Sequence, residues 1–287
     1  MNRTQRRGEL HAFVDGIALW SAPFADWDSA AAAFRAGEAA ALPDIAVAPR
    51  RPAPMGLAAN ERRRAPDSVL VALQVAEAAV AASGHDARTL ASVFCSAHGD
   101  LAIVDALCKT LARDPLLLSP TRFHHSVHNA AAGYWAMSAM CQAPSTALAA
   151  FEASFALGLF EALVQCTAEH RPVLLVGFDT AAHGALASVN RSRGLLGMAL
   201  VLAPERAAAS SWQLQAELRA GDFGGEETMA AARRPRTPAA RALAGNALAD
   251  ALPLAEALAL GEAFRWRWPL GTACALQLEA RPLPETT

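Results

Sequence analysis

The sequence predicts an α/β layer structure, on three observations. Short apolar runs of strand type alternate with stretches of helical period along the chain. Hydrophobic residues make up 53% of the 287, enough to bury a sizeable core and too many for a disordered chain. No internal repeat or low-complexity tract interrupts the alternation beyond a general bias to alanine.

The elements follow in order. Residues 12–19 (AFVDGIAL) read as a first strand and 26–36 as a short amphipathic helix. Residues 42–66 form a long irregular excursion with five prolines and the basic run Arg62-Arg63-Arg64, a loop of a length that is more often functional than idle. Pro66 suits the first turn of a helix through about Ala82, in which Leu70, Leu73, Val75, Ala76 and Val80 recur at helical spacing. Residues 90–96 (LASVFCS) are of buried-strand type, and 101–111 put Leu101, Val104, Leu107, Cys108 and Leu111 on one helical face. A small-residue helix is expected over 126–140 and a buried strand over 146–150 (TALAA). An apolar helix over 152–168 follows, with Phe151, Phe155, Leu159 and Leu163 spaced by four. The clearest strand is 172–178 (PVLLVGF), and 194–202 and 213–219 read as two more that could pair as a hairpin. Residues 221–238 are expected as a surface loop, 239–259 as a helix interrupted at Pro253, and 272–279 (TACALQLE) as a last alternating strand.

Composition excludes several classes. Lys and Arg number 25 against 27 Asp and Glu, a net charge of −2, which lacks the basic excess of a phosphate-backbone binder, so no nucleic-acid partner is expected. No run reaches the roughly 18 apolar residues of a membrane span, and the polar, basic start leads into no signal-peptide core. The five cysteines, Cys95, Cys108, Cys141, Cys166 and Cys274, show no CxxC spacing and are expected as buried free thiols in a reducing cytoplasm. Neither a cofactor nor a metal is expected.

One junction stands out. At residues 149–154 (AAFEAS) a small-residue strand runs straight into an apolar helix, a sharp turn that in α/β enzymes displays a side chain where the helix amides favour negative charge. Glu152 falls at that point; it is either the displayed residue or a first-turn acid favouring the helix dipole.

With 120–137 (PTRFHHSVHNAAAGYWAM), 145–163 (STALAAFEASFALGLFEAL) and 171–179 (RPVLLVGFD) in this order, the chain resembles the β-ketoacyl synthases. More narrowly it resembles the short ketoacyl-synthase-like proteins of aryl polyene and xanthomonadin-type pigment clusters. Residues 14–20 (VDGIALW), 60–69 (NERRRAPDSV) and 199–205 (ALVLAPE) fit the same family. The resemblance covers about 12–205 and returns weakly at 269–282 (PLGTACALQLEARP).

It implies a thiolase-like fold of mixed sheets layered with helices. Residues 12–205 would be a complete N-terminal domain, and 206–287 a reduced C-terminal extension packed on it. It also implies a cysteine at the elbow, where this chain has Glu152, and active-site histidines from the C-terminal half, where the last histidine is already His183. Ordinary condensation is therefore not expected. The implied role is that of a chain-length factor, a non-catalytic subunit that pairs with an active ketosynthase and shapes its acyl tunnel. Pocket and interface residues would then be Phe151, Glu152, Ser154, Phe155, His125, His128 and Asn129. Arg62, Arg63 and Arg64 would be a docking patch for an acidic acyl carrier protein, arginine forks gripping carboxylate and phosphate well. The rival readings are residual acyl chemistry such as decarboxylation aided by elbow amides, and a homodimeric scaffold that binds carrier protein.

Two other constellations are weaker. His124 and His128, four apart, would share a helix face as metal ligands can, but no Glu or Cys lies near them. Ser154, Asp179 and His183 have the chain order of a hydrolytic triad without a GxSxG setting.

Overall fold

The structure, a computed structural model, describes residues 10–39, 51–223 and 234–284. Its centre is one mixed sheet of eight strands in the order β3-β2-β4-β5-β1-β6-β8-β7. The strands are β1 (Leu10–Ser21), β2 (Ala91–Cys95), β3 (Ser145–Leu148), β4 (Val173–Asp179), β5 (Leu196–Ala203), β6 (Trp212–Ala220), β7 (Phe264–Pro269) and β8 (Cys274–Pro282). β2 runs parallel to β3 and β4, and every other neighbouring pair is antiparallel.

The helices are α1 (Trp27–Ala36), α2 (Ala59–Arg64), α3 (Asp67–Ser83), α4 (Leu101–Arg113), α5 (Pro120–Ser126), α6 (Ala130–Ser138), α7 (Ser154–Glu169), α8 (Pro238–Leu243) and α9 (Leu252–Leu260). α1, α7 and α9 cover one face of the sheet through Phe34, Phe155, Leu159, Leu163 and Leu254; α3 and α6 cover the other through Leu70, Leu73, Val80 and Trp135. β4 and β5 are buried at every position, because both their faces are covered. Further along the sheet only one face of β6 is covered, and it alternates: Trp212, Leu214 and Ala216 point in, Gln213, Gln215 and Glu217 less so.

β1 shows how a local irregularity serves both layers. Its register slips between Val14 and Gly16, so even-numbered Ala12 and Val14 face α7 before the bulge and odd-numbered Ile17 and Leu19 after it. The bulge leaves Asp15 buried, bonded to Ser210 Oγ at 2.6 Å and His85 Nε2 at 2.8 Å.

Several expectations need correction. β5 and β6 form no hairpin: β1 lies between them, because Phe13 pairs with Ala203 on one side and Gln213 on the other. The helix expected over 126–140 is the shorter α6, and a separate helix, α5, ends at Ser126 where it was expected to begin. Val127 is extended (φ −69°, ψ 138°), and His128 Nε2 is held 2.9 Å from the Ser96 carbonyl oxygen. His124 and His128 therefore share no helix face. Arg62–Arg64 lie on a short helix, α2, and not in an open loop; the rest of the 42–66 excursion lies partly outside the described residues. Pro253 sits in the first turn of α9, which it suits, and the chain breaks earlier, at Gly245 and Asn246. β7 was not among the expected elements. Cys95, Cys141 and Cys166 are buried, whereas Cys108 is exposed and Cys274 half-buried. No helix among the described residues is long and apolar enough to cross a membrane.

Candidate functional site

The elbow between β3 and α7 is built by local hydrogen bonding. After Leu148 the chain turns through Phe151 in the left-handed region (φ 51°) and a single 3₁₀ turn, Phe151–Ala153. A left-handed bulky residue costs roughly 1–2 kcal/mol, and Ser154 holds it there: its hydroxyl donates to the Phe151 carbonyl oxygen at 2.8 Å and accepts from the Ala150 amide at 3.0 Å. Glu152 thus stands in the 3₁₀ turn, ahead of α7, and not in the helix's first turn as expected. Phe151 leaves the apolar row of Phe155, Leu159 and Leu163: those three are fully buried, while Phe151 is 51% exposed.

Beneath the elbow, α7 begins without a side-chain cap from its own chain segment. The acceptor comes from ninety-odd residues away. Asp250, 1% exposed, places Oδ2 2.9 Å from the Phe155 amide and 3.0 Å from the Ala156 amide. A carboxylate there meets both the unpaired amides and the positive end of the helix dipole.

Phe151 and Glu152 line a cleft of about 340 Å³ with His98, Asn190, Arg191, Arg193 and Asn246. His98 follows β2 at the carboxyl end of the parallel strands, the place where open α/β sheets form crevices. Its ring meets Phe151 edge-on at 5.3 Å. Asp179 at the end of β4 ties this floor together, accepting from Ser96 Oγ at 2.8 Å and the Ala97 amide at 2.9 Å.

The elbow offers no activated nucleophile among the described residues. The nearest thiol, Cys95, lies behind α7 against Gly158, and burial pushes it well above the ordinary thiol range, with Asp250 and Asp179 adding to the effect. Ser154 is fully buried with its hydroxyl committed to the turn. Ser154, Asp179 and His183 do not form a triad, since both Ser154 and Asp179 are bonded elsewhere. No group of three or more metal-ligating side chains is present among the described residues.

The other expected site residues divide. Ser154 and Phe155, expected as pocket or interface residues, are fully buried at the start of α7 and are not among the residues that line the cleft. His125 is buried away from the elbow, its Nε2 2.9 Å from the Tyr134 hydroxyl. His128 braces Ser96, and Asn129 opens α6 without a side-chain capping bond. Of the arginine run, Arg62 is tied to the Pro54 carbonyl oxygen and Arg63 to Asn60, while Arg64 faces a second cavity. The sequence reading passed over His98 and Asp250. His98 carried a signal, its place just after a buried strand; Asp250 carried none.

Burial holds both His98 and His125 below the ordinary imidazole value of 6.5, and for His125 the neighbouring His124 adds to this against Asp100 and Glu61. The unfolded chain therefore takes up these protons first as pH falls. Stability is expected to fall as pH drops below 6.5 toward the lower folded values, and to be restored above it. Urea unfolding at pH 7.5 and 5.5 checks this; His125→Gln is expected to show a smaller loss than the parent chain.

A strand-to-helix elbow at the edge of this mixed sheet, between layers of helices, defines a thiolase-like ketosynthase fold. The chain belongs to the β-ketoacyl synthase family, whose N-terminal-domain model matches residues 37–269. No curated protein matches it by sequence. Among solved structures it is similar to a chain of the ketosynthase ApeO in complex with its chain length factor ApeC from Xenorhabdus doucetiae. That match has 22% identity and TM-score 0.69, over 94% of this chain and 99% of that one. It is similar to a chain of the ishigamide ketosynthase/chain length factor, with 17% identity and TM-score 0.65, over 96% and 100%. A third likeness is to a chain of AntDE:AntF, a type II polyketide synthase acyl-carrier protein with its ketosynthase, with 11% identity and TM-score 0.69, over 94% and 99%. At these identities the likeness is one of fold.

Proposed function

We propose that this chain is a non-catalytic subunit of chain-length-factor type. It pairs with an active β-ketoacyl synthase and bounds its acyl tunnel, in the making of aryl polyene or related polyketide chains. The observation that carries the reading is the β3 edge of the sheet. β3 has β2 on one side, is only partly buried, and bears no charged residue. Exposed Met137 and Met140 precede it, Phe151 follows it at the elbow, and exposed Val189, from the segment between β4 and β5, lines the same cleft as Phe151. The opposite edge, β7, carries Arg265, Arg267 and Pro269, the charge and proline that keep an edge from pairing. An uncharged strand edge flanked by apolar side chains calls for a partner, and the similar solved structures include ketosynthase–chain length factor complexes. With Glu152 at the elbow and no free thiol or hydroxyl there, the chain contributes wall and surface in place of a covalent acyl step. Residues 206–287 serve in this reading as an extension of the N-terminal domain, continuing its sheet through β6 against β1. A carrier protein docking on this subunit meets Arg64 more readily than Arg62 and Arg63, which are bonded to the Pro54 carbonyl oxygen and to Asn60.

Co-expression with an active β-ketoacyl synthase of the same organism, followed by size exclusion with light scattering, tests the pairing. The expected result is a one-to-one complex. Met140→Lys with Phe151→Glu is expected to weaken it at least ~100-fold, as loss of central apolar anchors does, with no change in the melting temperature of the isolated chain. A homodimer that ignores the synthase, or a complex unmoved by the double variant, would overturn the reading.

A further inference from the structure

A second cavity, of about 630 Å³, opens at the carboxyl ends of β2 and β4, away from the elbow cleft. Its walls come from separate parts of the chain: Arg64 from α2, Ile103 from α4, Arg122 and His125 from α5, and His183 and Leu195 from the segment between β4 and β5. The charges are unequally committed. Asp100 accepts from the Ile103 amide at 3.0 Å and Ser68 Oγ at 2.9 Å. Asp67 is paired with Arg51 at 2.7 Å, and Arg51 is further bonded to the Ala65 carbonyl oxygen. The two acids are thus satisfied within the wall. The guanidinium groups of Arg64 and Arg122 have no hydrogen-bond or ion-pair partner among the described residues, although both line the cavity. The remaining wall is largely apolar, with Pro66, Ile103 and Leu195. Cavities of this size hold small organic ligands, with a few polar groups fixing their orientation.

We propose that this cavity binds a small organic phosphate, with its oxyanion at Arg64 and Arg122 and its carbon chain against Ile103 and Leu195. A planar carboxylate is satisfied by one guanidinium fork, whereas a tetrahedral phosphate offers oxygens to two arginines that arrive from different helices. His183 supplies a further polar group on the same wall. The site lies apart from the elbow and needs no chemistry there. It shares only Arg64 with the carrier-protein surface proposed above, so a carrier-free probe separates the two.

The test is calorimetric titration of the isolated full chain with hexyl phosphate, hexanol and inorganic pyrophosphate at constant ionic strength. Binding of hexyl phosphate at one site is expected, at least tenfold tighter than hexanol. Arg64→Ala with Arg122→Ala is expected to weaken it at least tenfold, while Arg113→Ala, a basic change on the exposed last turn of α4, leaves it within twofold. Ile103→Asn is expected to weaken hexyl phosphate and spare pyrophosphate, which carries the charge without the chain. Absence of hexyl phosphate binding would overturn the proposal. So would equal binding of hexanol, or a response to Arg113→Ala as large as to the double variant, which would mark a diffuse ionic effect.

Discussion

Gly16→Ala is expected to destabilise the chain by about 3 kcal/mol or more, the upper end for overpacking a core. Gly16 lies in β1, the strand with β5 on one side and β6 on the other, and α3 rests directly on it. A methyl group there would overlap the carbonyl oxygen of Ala79 and come within 3.0 Å of Ser83 Cβ. The obstruction is backbone in the body of a helix, so no side-chain rotation relieves it. α3 would have to lift, opening its contacts with β1, β4 and β5 together. Equilibrium urea unfolding measures the change. A loss below about 1 kcal/mol would mean that α3 is not seated on β1 as described.

Asp250→Ala is expected to cost about 3 kcal/mol, by stripping the acceptor from two buried amides at the start of α7 and removing the negative charge from the helix's positive end. Asp250→Asn keeps an acceptor oxygen and loses the charge, and is expected to cost about 1 kcal/mol. The Trp268 indole bond is to the Asp250 carbonyl oxygen at 3.0 Å, so it survives both changes and the comparison isolates the carboxylate. Unfolding curves for the pair check the order. If the alanine variant matched the asparagine one, the amides would be finding another acceptor.

These two positions also mark the limit of what the sequence disclosed. The layer class, the main strands of the N-terminal part and the elbow itself were readable, because each is a local pattern: continuous apolar runs, a four-residue apolar row, small residues ahead of a helix. β7 was readable in principle, since Phe264, Trp266 and Trp268 alternate with Arg265 and Arg267 at the period of a strand. What could not be read depends on residues far apart. Nothing near Asp250 or Phe155 says that one caps the helix of the other, and nothing in β5 or β6 says that β1 will separate them. At the elbow, composition pointed to the turn. The division of labour within it, with Phe151 strained outward, Glu152 in the 3₁₀ turn and Ser154 locking both, follows from backbone geometry that a pattern does not carry.

The place of β1 in the sheet has a consequence for how the molecule comes into being. It is the first described strand to leave the ribosome, yet Phe13 finds its two neighbours only at Ala203 and Gln213. Until both have been synthesised, an apolar strand with two open edges is carried on the nascent chain, the kind of segment that pairs wrongly with other copies. Contacts so distant in sequence also make for a slow search. Yield of folded protein is therefore expected to depend on what shelters β1 during translation, and added chaperone is expected to raise it.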